Sequence, residues 1–430
     1  MPVKQKVPDM PSFDLTLPSL QFPLLGNSVA VAIPSLLHIV LAGLSVAFMV
    51  TAPILEWRGQ RTPHCTDLAY AITKFTVVVF SVSTVLAVIM VELLIGLFPV
   101  TTMWMWNQFR APIALAIGAF FLQFAALYPY YHYWDRVRRR SIRLHLTMGI
   151  TAALLMIVWV AVLDGMGSYM LTPVEGGSTW GNLVNPTWVW LMLHRFFGEL
   201  VMAGYVIAAY GAWRAGRPED EAHRDYYAFL ITIGWLGGLA ALLLQPFTGL
   251  LYATSIRHAE PAAYEQIVRG PYQFLAYAQF VLVGLLLVGN HLLLNSASPA
   301  DRRSRWLDMV IPSGALLMVA SVGHTGLRRA FLYLLIGLTL WSFRSVFQGG
   351  AGIISSRQRF GPWGRSIAIT LGVLSVLIYV TMGTIRETAR RPDTVRTMIS
   401  LHEEAEHPAA FREGTTTGKT SVYVRRKESE

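Results

Sequence analysis

Charge and cysteine are scarce in this chain. Only 14% of its 430 residues are Asp, Glu, Lys or Arg, whereas 54% are hydrophobic; a soluble protein carries roughly 25% charged residues. A water-soluble globular fold is therefore excluded. The single cysteine, Cys65, excludes an internal disulfide, a four-cysteine iron–sulfur centre and C-x-x-C-H haem attachment. Any metal cofactor must hang on His, Met, Gln, Glu or Tyr. No period of 20–50 residues stands out, which argues against a repeat architecture. No cleavable signal is evident either, because residues 1–30 are Pro-rich and polar.

What the chain does hold is a series of apolar runs near 20 residues, each able to cross roughly 30 Å of hydrocarbon. The fold class they predict is all-α, a polytopic transmembrane helix bundle of nine to ten spans. The runs lie at about 33–55, 70–97, 111–134, 144–165, 187–213, 226–251, 271–294, 306–324, 328–348 and 366–386, with Pro312 interrupting the eighth. Alternate loops hold Arg58 and Arg61; Arg136, Arg138, Arg139, Arg140 and Arg143; Arg214, Arg217 and Arg224; Arg302, Arg303 and Arg305; and Arg357, Arg359 and Arg365. The intervening loops hold only Arg110, Arg257, Arg269, Arg328 and Arg329. The positive-inside rule then puts the arginine-rich loops in the cytoplasm and both termini outside. The formal charge of +10 reads as a topology signal, not as nucleic-acid binding. Four segments follow: an outer tail at 1–32, a helix bundle at 33–294, additional spans at 295–386 and a polar tail at 387–430. The loop 252–270 reads as short and amphipathic.

Ionisable residues inside such runs are costly and mark functional positions by default. In NPTWVWLMLHRFFGELVMAGY, residues 185–205, His194, Arg195 and Glu199 interrupt an otherwise apolar segment. On the predicted topology His38 and His194 lie toward the outer ends of the first and fifth spans. Glu92 lies in the outer half of the second, and Glu199 one turn deeper than His194. Two histidines at similar depth on different helices suit axial ligation of haem iron, and Arg195 or Arg110 would meet its propionates. The plainer reading is that each histidine is a hydrogen-bonded interhelical residue. Lys74 lies near enough to the inner surface to snorkel. Asp164 and Glu175 read as solvated at an outer boundary, and His132 and His145 as headgroup contacts beside an arginine-rich loop. The MWMW run at 103–106 reads as interfacial packing.

Several motifs resemble subunit I of the cytochrome bd quinol oxidases in order and spacing. NPTWVWLMLH (185–194) with GAW (211–213) is similar to the family's fifth span, where an Asn-Pro precedes the histidine of low-spin haem b. AFFLQ (119–123) followed by WDR (134–136) resembles the third span, which reads AFFLE and WDR. LLHIVLAGLSVAF (36–48) looks like the first span, and KFTVVVFSVS (74–83) with Glu92 like the second. The likeness covers residues 33 to about 250, and more loosely extends to 294. It implies that His194 binds low-spin haem b and that His38 is an axial ligand in the dioxygen-reducing haem pair. It further implies that Glu92 is an acid near those haems. Lys74 matches a lysine of the family's second span, while Glu199 has no family counterpart. Its reading is a proton carrier or a carboxyl hydrogen-bonded between helices.

The sequence also departs from the family. The acid of AFFLE is Gln123 here, and a second glutamate falls on Leu115 or Ala116, depending on register. A third acid, expected before a later arginine motif echoed by ETARRP (387–392), falls on Val380. The methionine that faces the low-spin histidine aligns with Gln279 in PYQFLAYAQFVLVG (271–284), and the long quinol-binding loop shrinks to 252–270. Met170 and His324 are further residues on the outer side able to ligate iron.

The function these residues imply is a haem-binding electron-transfer subunit of a respiratory complex. It would sit in a bacterial or archaeal cytoplasmic membrane and exchange electrons with quinol or an external c-type cytochrome. Implied cofactors are one or more haem b, with haem d and quinone as further members of the set. Implied partners are a second bd-like subunit or a small membrane subunit, besides the lipid bilayer. The lost acids weigh against dioxygen reduction. The alternatives are a non-catalytic scaffold, which would hold no haem, and an ion-coupled transporter using Glu92, Glu199 and Lys74. No inverted repeat or pair of broken spans supports the transporter.

Overall fold

The computed structural model describes residues 20–174, 177–297, 305–321, 323–348 and 360–400. Their helices, in order, are α1 (Asn27–Arg58), α2 (Pro63–Leu97), α3 (Pro99–Gln108), α4 (Arg110–His132), α5 (Trp134–Arg140), α6 (Ile142–Leu171) and α7 (Thr179–Leu183). There follow α8 (Trp188–Ala215), α9 (Arg224–Ala259), α10 (Pro261–Arg269), α11 (Gln273–Ala297), α12 (Leu307–Ala320), α13 (Thr325–Gln348) and α14 (Pro362–Ala389). A short antiparallel pair, β1 (Asp393–Val395) with β2 (Ile399–Ser400), closes the described chain.

Each expected span corresponds to one helix. Eight of them, α1, α2, α4, α6, α8, α9, α11 and α14, are long and apolar enough to cross a membrane. Helix α12 has 14 residues with Pro312 inside it. At 1.5 Å per residue it rises only about 21 Å, less than the roughly 30 Å core. Most helices run a few residues beyond their apolar stretches, because hydrogen-bonded backbone continues into the interface. Proline opens α2, α3, α10 and α14, where its missing N–H has no helical acceptor to lose. Ser141 caps α6, its hydroxyl accepting from the Leu144 amide at 3.3 Å.

The centre of the bundle is the α8–α9 hairpin. A Cβ on Gly204 would stand 2.5 Å from the Gly238 nitrogen and 2.7 Å from the Gly234 carbonyl. Only glycine allows this backbone approach, the usual device for helix association where lipid removes the hydrophobic drive. One turn of polar chemistry locks α11 onto the pair. Tyr205 Oη and Trp235 Nε1 both donate to Asn290 Oδ1, at 2.9 and 2.8 Å. Helix α14 packs against both α8 and α11. The last described span, α14, also touches α1 and so packs into the bundle that begins there.

The loops holding Arg58, Arg61, Arg136–Arg143, Arg214 and Arg217 share one end; Arg302, Arg303, Arg357 and Arg359 lie outside the described residues. At the opposite end Asn27 Nδ2 donates to the Leu97 carbonyl and the Arg396 amide to the Met170 carbonyl. The first and last described segments thus meet at the same end. The N-terminal tail before residue 20, Glu175, and the C-terminal tail after residue 400 lie outside the described residues.

One expectation at the arginine-rich end is overturned. His145 does not face headgroups: it is fully buried, with Nδ1 2.7 Å from Glu56 Oε1 and Nε2 3.0 Å from the Tyr130 carbonyl. Tyr130 Oη donates to the other Glu56 oxygen at 2.8 Å, and Arg138 Nε stands 3.5 Å from Oε1. The reason is geometric: the first turn of α6 presents His145 inward, so the carboxylate near the end of α1 clips α4, α5 and α6 together.

Candidate functional site

The depth of His194 is set by the Asn-Pro turn before α8. Ser168 Oγ donates to Asn185 Oδ1 at 2.7 Å, while Asn185 Nδ2 donates to the Gly165 carbonyl at 3.1 Å. Thr187 Oγ1 joins the same knot at 2.6 Å from Ser168 Oγ, and Trp188 Nε1 donates to the Ala161 carbonyl at 2.8 Å. The start of α8 is thus stitched to the end of α6. His194, six residues into α8, is carried to a fixed height against α9.

There its Nδ1 donates to the backbone carbonyl of Gln245 at 3.3 Å, and its Nε2 accepts from Gln245 Nε2 at 3.2 Å. This pairing selects the tautomer with a proton on Nδ1 and a lone pair on Nε2, the form that ligates metals. Gly249 makes room beside the ring: a Cβ there would lie 2.8 Å from His194 Cε1. Gln245 precedes Pro246, whose missing N–H leaves the α9 ladder without one donor. His194 lines a cavity of about 280 Å³, just below the roughly 300–1,000 Å³ of small-molecule sites. Gln279 of α11 and Met382 of α14 line the same cavity, as do Arg328, Arg329 and Arg386.

Several expected members are elsewhere. The Arg195 guanidinium is not free to meet a propionate: its Nη2 lies 2.8 Å from Asp164 Oδ2, and its Nη1 pairs with Glu199 Oε1. Asp164 is accordingly buried, not solvated, because α6 faces α8 at this level. Gln279 Oε1 already accepts from Thr381 Oγ1. Met170 Sδ is met by Arg390 Nη1 at 3.3 Å, and His324 is exposed. His38 is half-buried, separate from the cavity, with Nδ1 donating to the Ser83 carbonyl at 2.9 Å. Glu92 is exposed on α2, nine residues beyond Ser83 or about 13 Å along the axis. Lys74 is likewise exposed.

Gln123 is fully buried and neither of its amide atoms meets a partner among the described residues. Of the two positions for the second lost acid, Ala116 faces the interior and Leu115 is 47% exposed. Sequence reasoning missed Gln245, Gly249, Met382 and Tyr379. A Gln-Pro inside an apolar run was a usable signal for the first. Met382 is one of 16 methionines, and only packing singles it out.

The fold defines a multi-span helical membrane protein with a cavity lined by His194 and by residues of α9, α11, α13 and α14. Residues 28–424 match the sequence profile of the cytochrome bd terminal oxidase subunit I family, and the chain belongs to that family. Among solved structures, the bd oxidase from Geobacillus thermodenitrificans shares the fold. Its TM-score is 0.61, with 16% identity over 95% of this chain and 96% of the other. Among curated proteins, none matches the chain in sequence.

Proposed function

We propose that the chain is a haem-binding electron-transfer subunit of a respiratory complex in a prokaryotic cytoplasmic membrane. The observation that carries this reading is the pairing of His194 Nδ1 with the Gln245 carbonyl, with Nε2 met by the Gln245 side-chain amide and the imidazole lining a cavity beside Gly249. Haem b fits these residues: an imidazole oriented by a backbone carbonyl, a thioether and an amide on facing helices, and three arginines for propionates. When bound, it supplies one-electron chemistry. Coordination through Nε2 requires the Gln245 carboxamide to turn aside while its backbone carbonyl keeps Nδ1 in place. Met382 would be the second ligand in preference to Gln279: Gln245 Nε2 lies 3.4 Å from Met382 Sδ and 3.2 Å from His194 Nε2, so one amide meets both donors. Arg328 and Arg329 would take the propionate role expected of Arg195, joined by Arg386 only if it exchanges its partner Glu387.

His38, with Nδ1 bonded to Ser83, offers a second ligand of the same tautomer; the unpartnered Gln123 amide marks where family acids are lost. Haem d and a bound quinone belong to the family's chemistry, but no residue of this cavity distinguishes them. Glu92 faces outward, where it would meet lipid or a second subunit. Quinol or an external c-type cytochrome is the proposed electron donor. We assign electron transfer in preference to dioxygen reduction because Gln123, Ala116 and Val380 cannot deliver protons.

The test is an absorbance spectrum of the purified protein, oxidised and dithionite-reduced, with and without carbon monoxide. A six-coordinate haem b signal insensitive to carbon monoxide, lost in His194→Ala, supports the reading. Absence of haem would leave a scaffold or a transporter, and a carbon monoxide-binding component would restore dioxygen reduction.

A further inference from the structure

Two carboxylates share one guanidinium in the middle of the bundle. Asp164 of α6 takes Arg195 Nε at 2.9 Å and Nη2 at 2.8 Å through Oδ2; Glu199 of α8 takes Nη1 through Oε1. Tyr379 of α14 donates to the same Glu199 oxygen at 3.2 Å. Glu199 is fully buried, and no donor among the described residues reaches its second oxygen, Oε2. From α1 the neighbour is Gly43, where a Cβ would stand 3.2 Å from Glu199 Cγ and 2.7 Å from Tyr379 Oη. From α9 the nearest side chain at this level is the neutral Gln245, 3.8 Å from a Cβ on Gly198. Farther toward the arginine-poor end lie Tyr252, Arg386 and Glu387, the last two paired with each other at 3.3 Å.

With both acids ionised the inner group of Asp164, Arg195, Glu199 and Tyr379 carries a net charge of about −1 in a low-dielectric interior. A buried charge of that kind neutralises rather than persist unpaired. We propose that this network is a binding site for one exchangeable proton, held on Glu199 Oε2. Asp164 is the poorer seat, because its Oδ2 takes two guanidinium bonds while Glu199 Oε2 takes none. The proton comes from water and converts one carboxylate to a carboxylic acid; no oxidant or reductant is needed.

The site lies deeper in the bundle than the two candidate haem ligands. His194 is five residues outward of Glu199 on α8, and His38 five residues outward of Gly43 on α1, each about 7.5 Å along its axis. This second element rests on the haem reading: an electron arriving at a haem held by His194, from a quinol or c-type cytochrome, favours protonation of Glu199. The network would then couple proton uptake to electron transfer without the acids lost elsewhere in the chain.

Infrared difference spectroscopy on the intact protein under a pH change tests the proton site directly, whether or not haem is present. The wild type should show a protonated-carboxyl stretching band that titrates, shifts in D2O and is lost in Glu199→Gln. Asp164→Asn should also abolish the band although Glu199 remains, since one carboxylate then suffices for Arg195. Glu387→Gln should leave it unchanged. A wild type without such a band, or a band that persists in Glu199→Gln, overturns the proposal. So does persistence in Asp164→Asn, which would show an ordinary interhelical hydrogen bond. The haem spectrum of the same sample reports on the haem reading separately. Where haem is present, its midpoint potential should fall with rising pH, and Glu199→Gln should flatten that slope; an unaltered slope overturns the redox link.

Discussion

At the scale of single residues, the chemistry of this chain depends on which atom of each polar side chain is already taken. His194 bonds the Gln245 carbonyl through Nδ1 and the Gln245 side-chain amide, which can rotate away, through Nε2, while Gln279 has its oxygen on Thr381. Met382→Leu is therefore expected to convert a six-coordinate haem to a form that binds carbon monoxide and to lower its potential, as loss of a thioether does. Gln279→Leu should leave the spectrum nearly unaltered. Redox-difference spectra of the two variants decide the matter, and the reverse pattern would return the ligand to α11. The motif NPTWVWLMLH could single out His194 as a candidate because histidine and spacer share one helix start. It could not point to Met382, which reaches the site from 188 residues farther along the chain.

At the scale of elements, two devices hold the bundle, and they respond differently to substitution. The α8–α9 contact is steric. Gly204→Leu inserts a side chain where a Cβ already meets backbone at 2.5 Å. Overpacking costs typically 1–3 kcal/mol (roughly), and backbone contact places this site at or beyond the upper end. Thermal unfolding in detergent should register it, with Gly237→Leu, which has open space, as the control. The clip at the arginine-rich end is electrostatic. Glu56→Ala strands His145, Tyr130 and Arg138 and is expected to cost about 3–5 kcal/mol, the range for breaking a buried charged pair. Glu56→Gln should cost less because both side-chain positions can still bond. The sequence showed where these helices run, since apolar length is a local property. It did not show that Glu56 and His145 meet, because they sit 89 residues apart on helices whose facing is a packing outcome.

At the scale of the whole molecule, the arrangement is asymmetric from end to end. One end collects arginine loops, and the other carries α3, α7, α10 and the β1–β2 pair. The positive-inside rule predicts that the first end is cytoplasmic. With Cys65 replaced, a cysteine at Ser141 should resist a membrane-impermeant thiol reagent in intact cells, and one at Ser178 should react. The opposite pattern would invert the topology and place His194 and the Asp164–Arg195–Glu199 network on the cytoplasmic side. The order of helices along the chain was legible because each span signals itself. The insertion of α14 between α8 and α11 was not, because nothing in residues 362–389 names its neighbours.

Low charge and long apolar runs were sufficient for the membrane and for where the long helices run, because each is set by the transfer of local segments from water. The identity of one haem-ligand candidate also lay in the sequence, where a short motif and its helix travel together. Only the tertiary structure decided which carboxylate binds which cation and which methionine shares Gln245 with His194. It also decided which side chain keeps an unpartnered oxygen. Those are contacts between distant segments in a medium without water, where one unmatched polar atom matters and only packing selects the match.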